Sequence, residues 1–200
     1  MKIALLQGSP HKQGSSNILA EQFRVGAQSA GHEVVLFDIT QAKISPCRAC
    51  EYCHTKGGGN CFQKDDMERL KELILSSEML VIATPLYFFN MSAQTKTVID
   101  RMYAFLDQMA CRVKKMALLV AANTPNPHIM DCIVANYLSI VNFLSVQNAG
   151  MVLAAGCGTP ELTQKSKFPE LAYELGKCQR QYEIVRKRRR NFVVFRRGCG

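Results

Sequence analysis

The chain has 200 residues, of which 48% are apolar, and its formal net charge is +9. This composition is typical of one folded domain. No apolar run approaches the roughly 18 residues that a membrane-spanning helix needs, and the amino terminus lacks the long apolar core of a secretory signal peptide. The sequence therefore excludes a membrane-spanning or secreted class and predicts a cytoplasmic protein.

The positive charge is concentrated at the carboxyl terminus. Eight basic residues and one acid, Glu183, lie within residues 180–200, so the rest of the chain carries only +2. A basic tail is usually a solvated terminus, although it can bind an anionic partner. We predict a domain at 1–185, with a cysteine-rich excursion at 40–65, and a basic tail at 186–200.

Short apolar runs alternate with longer helical patterns along the chain. The predicted strands are Ile3–Gln7, Glu33–Asp38, Met79–Ala83, Met116–Ala121 and Gly150–Ala154. The predicted helices are Ser16–Ala30, Asp66–Ser76, Ala93–Leu106, His128–Val146 and Pro169–Arg188. Such alternation predicts a doubly wound, three-layer α/β sandwich, in which ligands bind at the carboxyl ends of the strands.

A turn rich in glycine and hydroxyl groups, Gly8 to Asn17, follows the first predicted strand and leads into a helix. Backbone N–H groups and the positive end of a helix dipole converge in such a turn, which favours a phosphate monoester. The turn has neither the closing Gly-Lys-Ser/Thr of a P-loop nor the G-x-G-x-x-G of dinucleotide-binding folds. The structural alternative is an ordinary helix N-cap.

Three consecutive aromatic residues, Tyr87, Phe88 and Phe89, follow the third predicted strand. At a strand end they can form a platform for a flat ring, with Asn90 at its polar edge. Core or interface packing is the alternative. A phosphate site and a ring platform at the same edge of a sheet together predict FMN.

These segments give the chain a resemblance to the flavodoxin-like NADPH-dependent FMN reductases. The resemblance covers residues 1–106 best and rests on Gly8-Ser9-Pro10, Gly14-Ser15-Ser16-Asn17, Thr84-Pro85-Leu86-Tyr87, Lys96 and Ile99-Asp100-Arg101. It implies a flavodoxin-like sandwich with a parallel sheet in the order 2-1-3-4-5, an NAD(P)H donor, and a homodimer or homotetramer. The implied FMN-binding residues are Ser9, His11, Gly14, Ser15, Ser16, Asn17, Pro85, Leu86, Tyr87, Phe88, Phe89 and Asn90. No catalytic side chain is expected, because the chemistry belongs to the flavin.

Four of the nine cysteines are clustered in sequence, at Cys47, Cys50, Cys53 and Cys61. Soft thiolates at this spacing suit an iron–sulfur cluster or zinc. The spacing is similar to that of the iron–sulfur flavoproteins, a branch of the same family, which implies that these four residues hold a [4Fe-4S] cluster. A zinc site, a redox-active Cys50–Cys53 pair and a loop without metal remain open.

The predicted function is that of an FMN-dependent oxidoreductase with small-molecule or small-protein electron donors and acceptors. NAD(P)H can reduce such a flavin directly, or a ferredoxin-like protein can do so through the cluster. The alternative is a non-catalytic redox or nucleic-acid-binding module that uses the basic tail, whose affinity for nucleic acid would depend strongly on salt.

Overall fold

The structure is a computed structural model that describes residues 1–178. Five strands, β1 to β5, form one parallel sheet in the order β2-β1-β3-β4-β5, which confirms the expected order. Their bounds are Lys2–Gln7, Glu33–Asp38, Met79–Pro85, Lys115–Ala121 and Gln147–Ala154. The predicted basic tail, the nucleic-acid alternative that depends on it, and the end of the last predicted helix lie outside the described residues.

The described residues form eight α-helices. In chain order, α1 to α8 are Ser15–Ser29, Tyr52–Thr55, Met67–Leu75, Ala93–Arg101, Leu106–Arg112, Asp131–Phe143, Pro160–Gln164 and Phe168–Lys177. Short 3-10 turns occur at Ile39–Gln41, Met102–Phe105 and Pro127–Met130. None of the helices within residues 1–178 combines the length and the apolar character needed to span a membrane.

The prediction of one continuous helix over Ala93–Leu106 is wrong. Helix α4 ends at Arg101, a 3-10 turn follows, and α5 begins at Leu106. Met102, Ala104 and Phe105 are all buried in this turn. The backbone of Phe105 leaves the helical region, with φ −130° and ψ 28°, so the chain changes direction between the two helices.

Two apolar cores lie on opposite faces of the sheet because strand side chains alternate in direction. Leu5 and Val81 belong to the core that α1 and α8 cover, whereas Leu6 and Ile82 belong to the core that contains residues of α3, α4 and α6. This arrangement is the predicted three-layer sandwich. The strands between the layers hold the loops at their carboxyl ends in fixed positions.

Helices α1 and α8 pack with their backbones in close approach. A Cβ atom at Gly26 would overlap the carbonyl group of Tyr173, and one at Gly176 would overlap the carbonyl oxygen of Phe23. Glycine is therefore required sterically at both positions. The contact fixes α1, whose first residues form part of the candidate site.

Candidate functional site

A cavity of about 520 Å³ lies at the carboxyl edge of the sheet. Loops that follow β1, β3, β4 and β5 form its walls, as expected for a ligand site in a doubly wound sheet. Eight of the twelve predicted FMN-binding residues line it: Ser9, His11, Gly14, Ser15, Ser16, Pro85, Leu86 and Tyr87.

The turn between β1 and α1 forms the polar wall of this cavity. The N–H of Gly14 donates to the carbonyl oxygen of His11 at 2.8 Å, and the N–H of His11 donates to Ser9 Oγ at 3.3 Å. A Cβ atom at Gly14 would lie only 3.0 Å from this carbonyl oxygen. Glycine thus allows the turn to close tightly below the first turn of α1.

Ser16 provides the observation that tests whether a phosphate fits here. The residue is 1% exposed, and its Oγ has no hydrogen-bond partner among the described residues. An unsatisfied buried hydroxyl costs about 1–3 kcal/mol, so such a group requires a physical explanation. A phosphate oxygen at the amino terminus of α1 would accept its hydrogen bond, and the residues present therefore fit the phosphate of FMN.

Asn17 does not line the cavity. Its Nδ2 donates to the carbonyl oxygens of His11 and Lys12, at 2.9 and 3.2 Å, and so braces the turn from within. A direct contact between Asn17 and the phosphate stays a prediction.

The glycine–serine turn is hydrogen-bonded directly to residues on both sides of the aromatic segment. Ser92 Oγ donates to the carbonyl oxygen of Gly8 at 2.8 Å, and its N–H donates to Thr84 Oγ1 at 3.1 Å. The N–H of Gly8 donates to the carbonyl oxygen of Ala83 at 2.8 Å. The sequence predicted that these two segments lie side by side, and these bonds show that they do.

Tyr87 to Asn90 form a tight β-turn of type I′. Phe88 and Phe89 have φ values of +45° and +65°, and the N–H and carbonyl groups of Tyr87 and Asn90 exchange two hydrogen bonds. The exposed fractions of Phe88 and Phe89 are 98% and 55%. Phe88, Phe89 and Asn90 do not line the cavity, and the ring contacts expected of them remain predictions.

Two adjacent aromatic residues in the left-handed region are strained, because this turn type favours Asn-Gly. Each such non-glycine residue costs about 1–2 kcal/mol. We expect the double variant Phe88→Asn, Phe89→Gly to have a free energy of unfolding about 2 kcal/mol higher than that of the wild type, because the strain is relieved. Urea denaturation measures this difference. The matched control Phe88→Ala, Phe89→Ala, which keeps side chains with a Cβ at both positions, should show no such gain. Equal stability of the two variants would mean that the turn is unstrained.

The sequence predicts ligand-side loops at 123–127 and 155–160, after the fourth and fifth strands, but no residue of this wall is among the predicted FMN-binding residues. Asn123, Cys157, Gly158 and Thr159 line the cavity there. A Cβ atom at Gly158 would overlap the side-chain oxygen of Asn123, so the two loops touch closely. The rule that ligands bind at strand carboxyl ends identifies these loops, although it does not say which of their residues contact the ligand.

The cysteine-rich excursion lies apart from this cavity. Cys47 and Cys50 are exposed, Cys53 and Cys61 are half-buried, and all four line one small cavity of about 20 Å³. Within residues 1–178, no three His, Cys, Asp or Glu side chains are placed so that they could hold a metal ion. Four thiols around one cavity suit a soft metal in chemical type, but they are not gathered as ligands, and their assignment remains a prediction.

A buried ion pair closes the base of the excursion. Both terminal nitrogens of Arg101 donate to the carboxylate of Asp65, at 2.7 and 3.0 Å, and Nη1 also donates to the carbonyl oxygen of Ser45 at 2.7 Å. The Asp65 carboxylate accepts further bonds from the N–H groups of Ser45 and Met67. Burial opposes its ionisation, but the bonds from Arg101 and from these N–H groups outweigh burial and lower the pKa of Asp65.

Residues 1–152 match the profile of the NADPH-dependent FMN reductases. The chain belongs to this family. Membership confirms the predicted family, and the walls of the cavity described above fall mainly within the matched residues.

Two relatives of known family are similar to the chain in sequence. An iron–sulfur flavoprotein of Archaeoglobus fulgidus is 37% identical over 105 residues, which cover 52% of the chain and 47% of that protein. The chain thus spans about half the length of such relatives. YwqN of Bacillus subtilis, named as an NAD(P)H-dependent FMN-containing oxidoreductase, is 29% identical over 78% of the chain and 86% of its own length.

Solved structures share the fold. The NAD(P)H:quinone oxidoreductase from Methanothermobacter marburgensis superposes with a TM-score of 0.73, covering 92% of the chain and 98% of that protein. At 18% identity this likeness establishes the architecture alone.

Proposed function

We propose that the protein is an oxidoreductase that binds FMN in the cavity at the carboxyl edge of the sheet and takes electrons from NAD(P)H. The unpartnered, buried hydroxyl of Ser16 carries this proposal: Ser16 lines the cavity in the first turn of α1, and the loop before α1 is hydrogen-bonded through Gly8 to Ser92, just after the aromatic segment. FMN bound there would supply hydride acceptance at N5 and onward transfer of one or two electrons.

The side chains around the cavity would bind and orient the cofactor. Ser9, Ser15, Ser16 and the first N–H groups of α1 would hold the phosphate. Pro85, Leu86 and Tyr87 would support the ring. Lys12 and His11, both exposed at the rim, would face the phosphate from the solvent side.

Anaerobic purification followed by flavin and iron counts tests the cofactor content. Addition of NADPH alone should rapidly bleach the visible flavin band if nicotinamide reduces the flavin directly. If bleaching requires reduced ferredoxin, the donor is a protein. A folded sample that stays colourless after soaking in FMN would refute the proposed site.

We propose further that Cys47, Cys50, Cys53 and Cys61 hold an iron–sulfur cluster that feeds the flavin. The shared cavity of the four residues and the name of the Archaeoglobus relative support this ligand set. Replacing Cys53 with serine should remove the iron and the cluster absorbance, because a serine hydroxyl is a poor ligand for iron in a sulfur-rich site. FMN occupancy should not change.

Cys111, an exposed thiol outside the excursion, offers a matched control for this experiment. Cys111→Ser should retain the wild-type iron content. Iron content that is the same in Cys53→Ser as in the wild type would show that the ligand set is wrong.

We also propose a homodimer or homotetramer. Phe88 is almost fully exposed at the turn next to the cavity, and a large apolar side chain in that position favours burial against a second copy. Light scattering after gel filtration measures the oligomeric state. A monomer at micromolar concentration would contradict this proposal.

A cytoplasmic location is the last part of the proposal. Seven cysteines of the described residues are free thiols, a state that persists in reducing compartments: Cys47, Cys50, Cys53, Cys61, Cys111, Cys132 and Cys157. Fractionation of cells that express the tagged chain would test it, and recovery outside the cytoplasm would overturn it.

A further inference from the structure

Helix α4 connects the two candidate sites. At its beginning, Ser92 caps the helix by accepting a hydrogen bond from the N–H of Thr95 and donates to Gly8 in the phosphate turn. At its end, Arg101 reaches the base of the cysteine-rich excursion. The nine residues of α4 span about 13.5 Å at 1.5 Å per residue.

Arg101 holds both sides of the excursion together. Its side chain is 1% exposed, and its three hydrogen bonds reach Ser45, before the first cysteine, and Asp65, after the last. A second carboxylate, that of Asp66, accepts from the N–H of Lys43 at 2.7 Å. The loop that carries the four cysteines therefore leaves the domain and returns to it at a fixed point.

One donor of the guanidinium is unused. Arg101 Nε is buried and has no hydrogen-bond partner among the described residues. Arg101 also lines the cavity that the four cysteines share. A buried N–H without an acceptor is costly, and a thiolate or sulfide sulfur in that cavity would be an acceptor with the opposite charge.

A lysine at position 101 could not make the contacts that Arg101 makes. The planar guanidinium binds a carboxylate through two nitrogens and keeps a third N–H in a fixed direction, whereas an ammonium group is a point charge on a flexible stem. The same cation also lies close enough to Cys61 and Cys47 to interact with them electrostatically. The positive charge of Arg101 thus favours an anionic group with sulfur ligands in the cavity that the four cysteines line.

We propose that Arg101 is a positioning residue for the cysteine site: it closes the base of the loop and offers its remaining N–H and its positive charge to the metal–sulfur group that the four cysteines bind. This inference rests on the proposed function, since it assumes that these cysteines are ligands. Hydrogen bonds and positive charge near the sulfurs raise the reduction potential of such groups.

The test compares Arg101→Met, Arg101→Lys and Lys96→Met in the full-length, FMN-loaded protein. Lys96→Met is the matched control, because it removes a cation from the same helix, where Lys96 forms an exposed ion pair with Asp100. Co²⁺ is titrated anaerobically while the thiolate charge-transfer bands are recorded. Arg101→Met should bind Co²⁺ about tenfold more weakly or worse, as is usual when an outer partner of a metal ligand is lost. Lys96→Met should match the wild type.

Two further measurements separate a positioning role from a purely structural one. After reconstitution with iron and sulfide, the midpoint potential of the cluster should be more negative in Arg101→Met and intermediate in Arg101→Lys, which retains the charge. Hydrogen exchange should accelerate across residues 43–66 in both variants. If Arg101→Met does not fold, the double variant Arg101→Met, Asp65→Asn, which removes both buried charges, replaces it.

Each failure has a distinct meaning. A wild-type protein that binds no Co²⁺ overturns the proposed ligand set and, with it, the role of Arg101. If the wild type and Arg101→Met bind Co²⁺ equally, or if their clusters have the same midpoint potential, only the proposed role of Arg101 is overturned.

Discussion

Replacing Ser16 with aspartate should abolish FMN binding while the fold remains intact. Ser16 is 1% exposed and lies at the beginning of α1, on the wall of the cavity. A carboxylate there would face the phosphate at short range, and like charges at such distances cost several kcal/mol. A repulsion of only about 3 kcal/mol between the carboxylate and the phosphate would weaken FMN binding roughly hundredfold.

Flavin fluorescence titration measures this loss of affinity, and circular dichroism verifies the fold. Ser16→Asn is the matched control, because asparagine has the size of aspartate but no charge. It should bind FMN more tightly than Ser16→Asp by at least about tenfold, since the repulsion is absent. Full flavin occupancy in Ser16→Asp would show that the phosphate lies elsewhere.

Replacing Asp65 with asparagine should lower the free energy of unfolding by about 3 kcal/mol, because removing one partner of a buried ion pair leaves the other charge uncompensated. Arg101 is the partner left behind, with a side chain that is 1% exposed. Urea denaturation measures the loss. Asp100→Asn is the matched control on α4, where the ion pair with Lys96 is exposed and should contribute less than about 1 kcal/mol.

The same pair predicts a pH dependence. The pKa of Asp65 is lower in the folded protein than its ordinary value of about 3.9, so its contribution to stability is fully present above that value. The contribution is lost as the pH falls through the lower, folded-state pKa. The difference in stability between the wild type and Asp65→Asn should therefore shrink in acid. A difference that stays constant down to about pH 2 would contradict the assignment.

Much of the candidate site could be predicted because it depends on local sequence and on topology. The run Ile3–Gln7 is apolar, and the glycine- and serine-rich turn follows it directly, so a strand, an anion-binding turn and a helix start were predictable from neighbouring residues. The order of the strands followed from the resemblance to the family. Parallel strands then bring the ends of β1 and β3 to one edge, as the bond between Ser92 and Gly8 shows.

Other features depend on residues far apart in the chain. Phe88 and Phe89 are predicted to form a ring platform because they are aromatic; the turn that carries them leaves both outside the lining of the cavity, and their contact with a ring stays a prediction. The contact of Gly158 with Asn123 joins two separate loops. No local pattern reports either arrangement, since both depend on how the loops at the edge of the sheet pack against one another.

Local composition and periodicity thus specified the layers of the sandwich, the polar turn below α1 and the cysteine spacing, because each depends on residues close in sequence. Packing decided how α4 ends, which of the aromatic side chains reach the cavity, and that Arg101 of α4 closes the base of the cysteine loop. Arg101 and Asp65 are 36 residues apart in the chain, and their bond forms because the fold brings the end of α4 to the base of the cysteine loop, where the buried cation needs a partner of opposite charge.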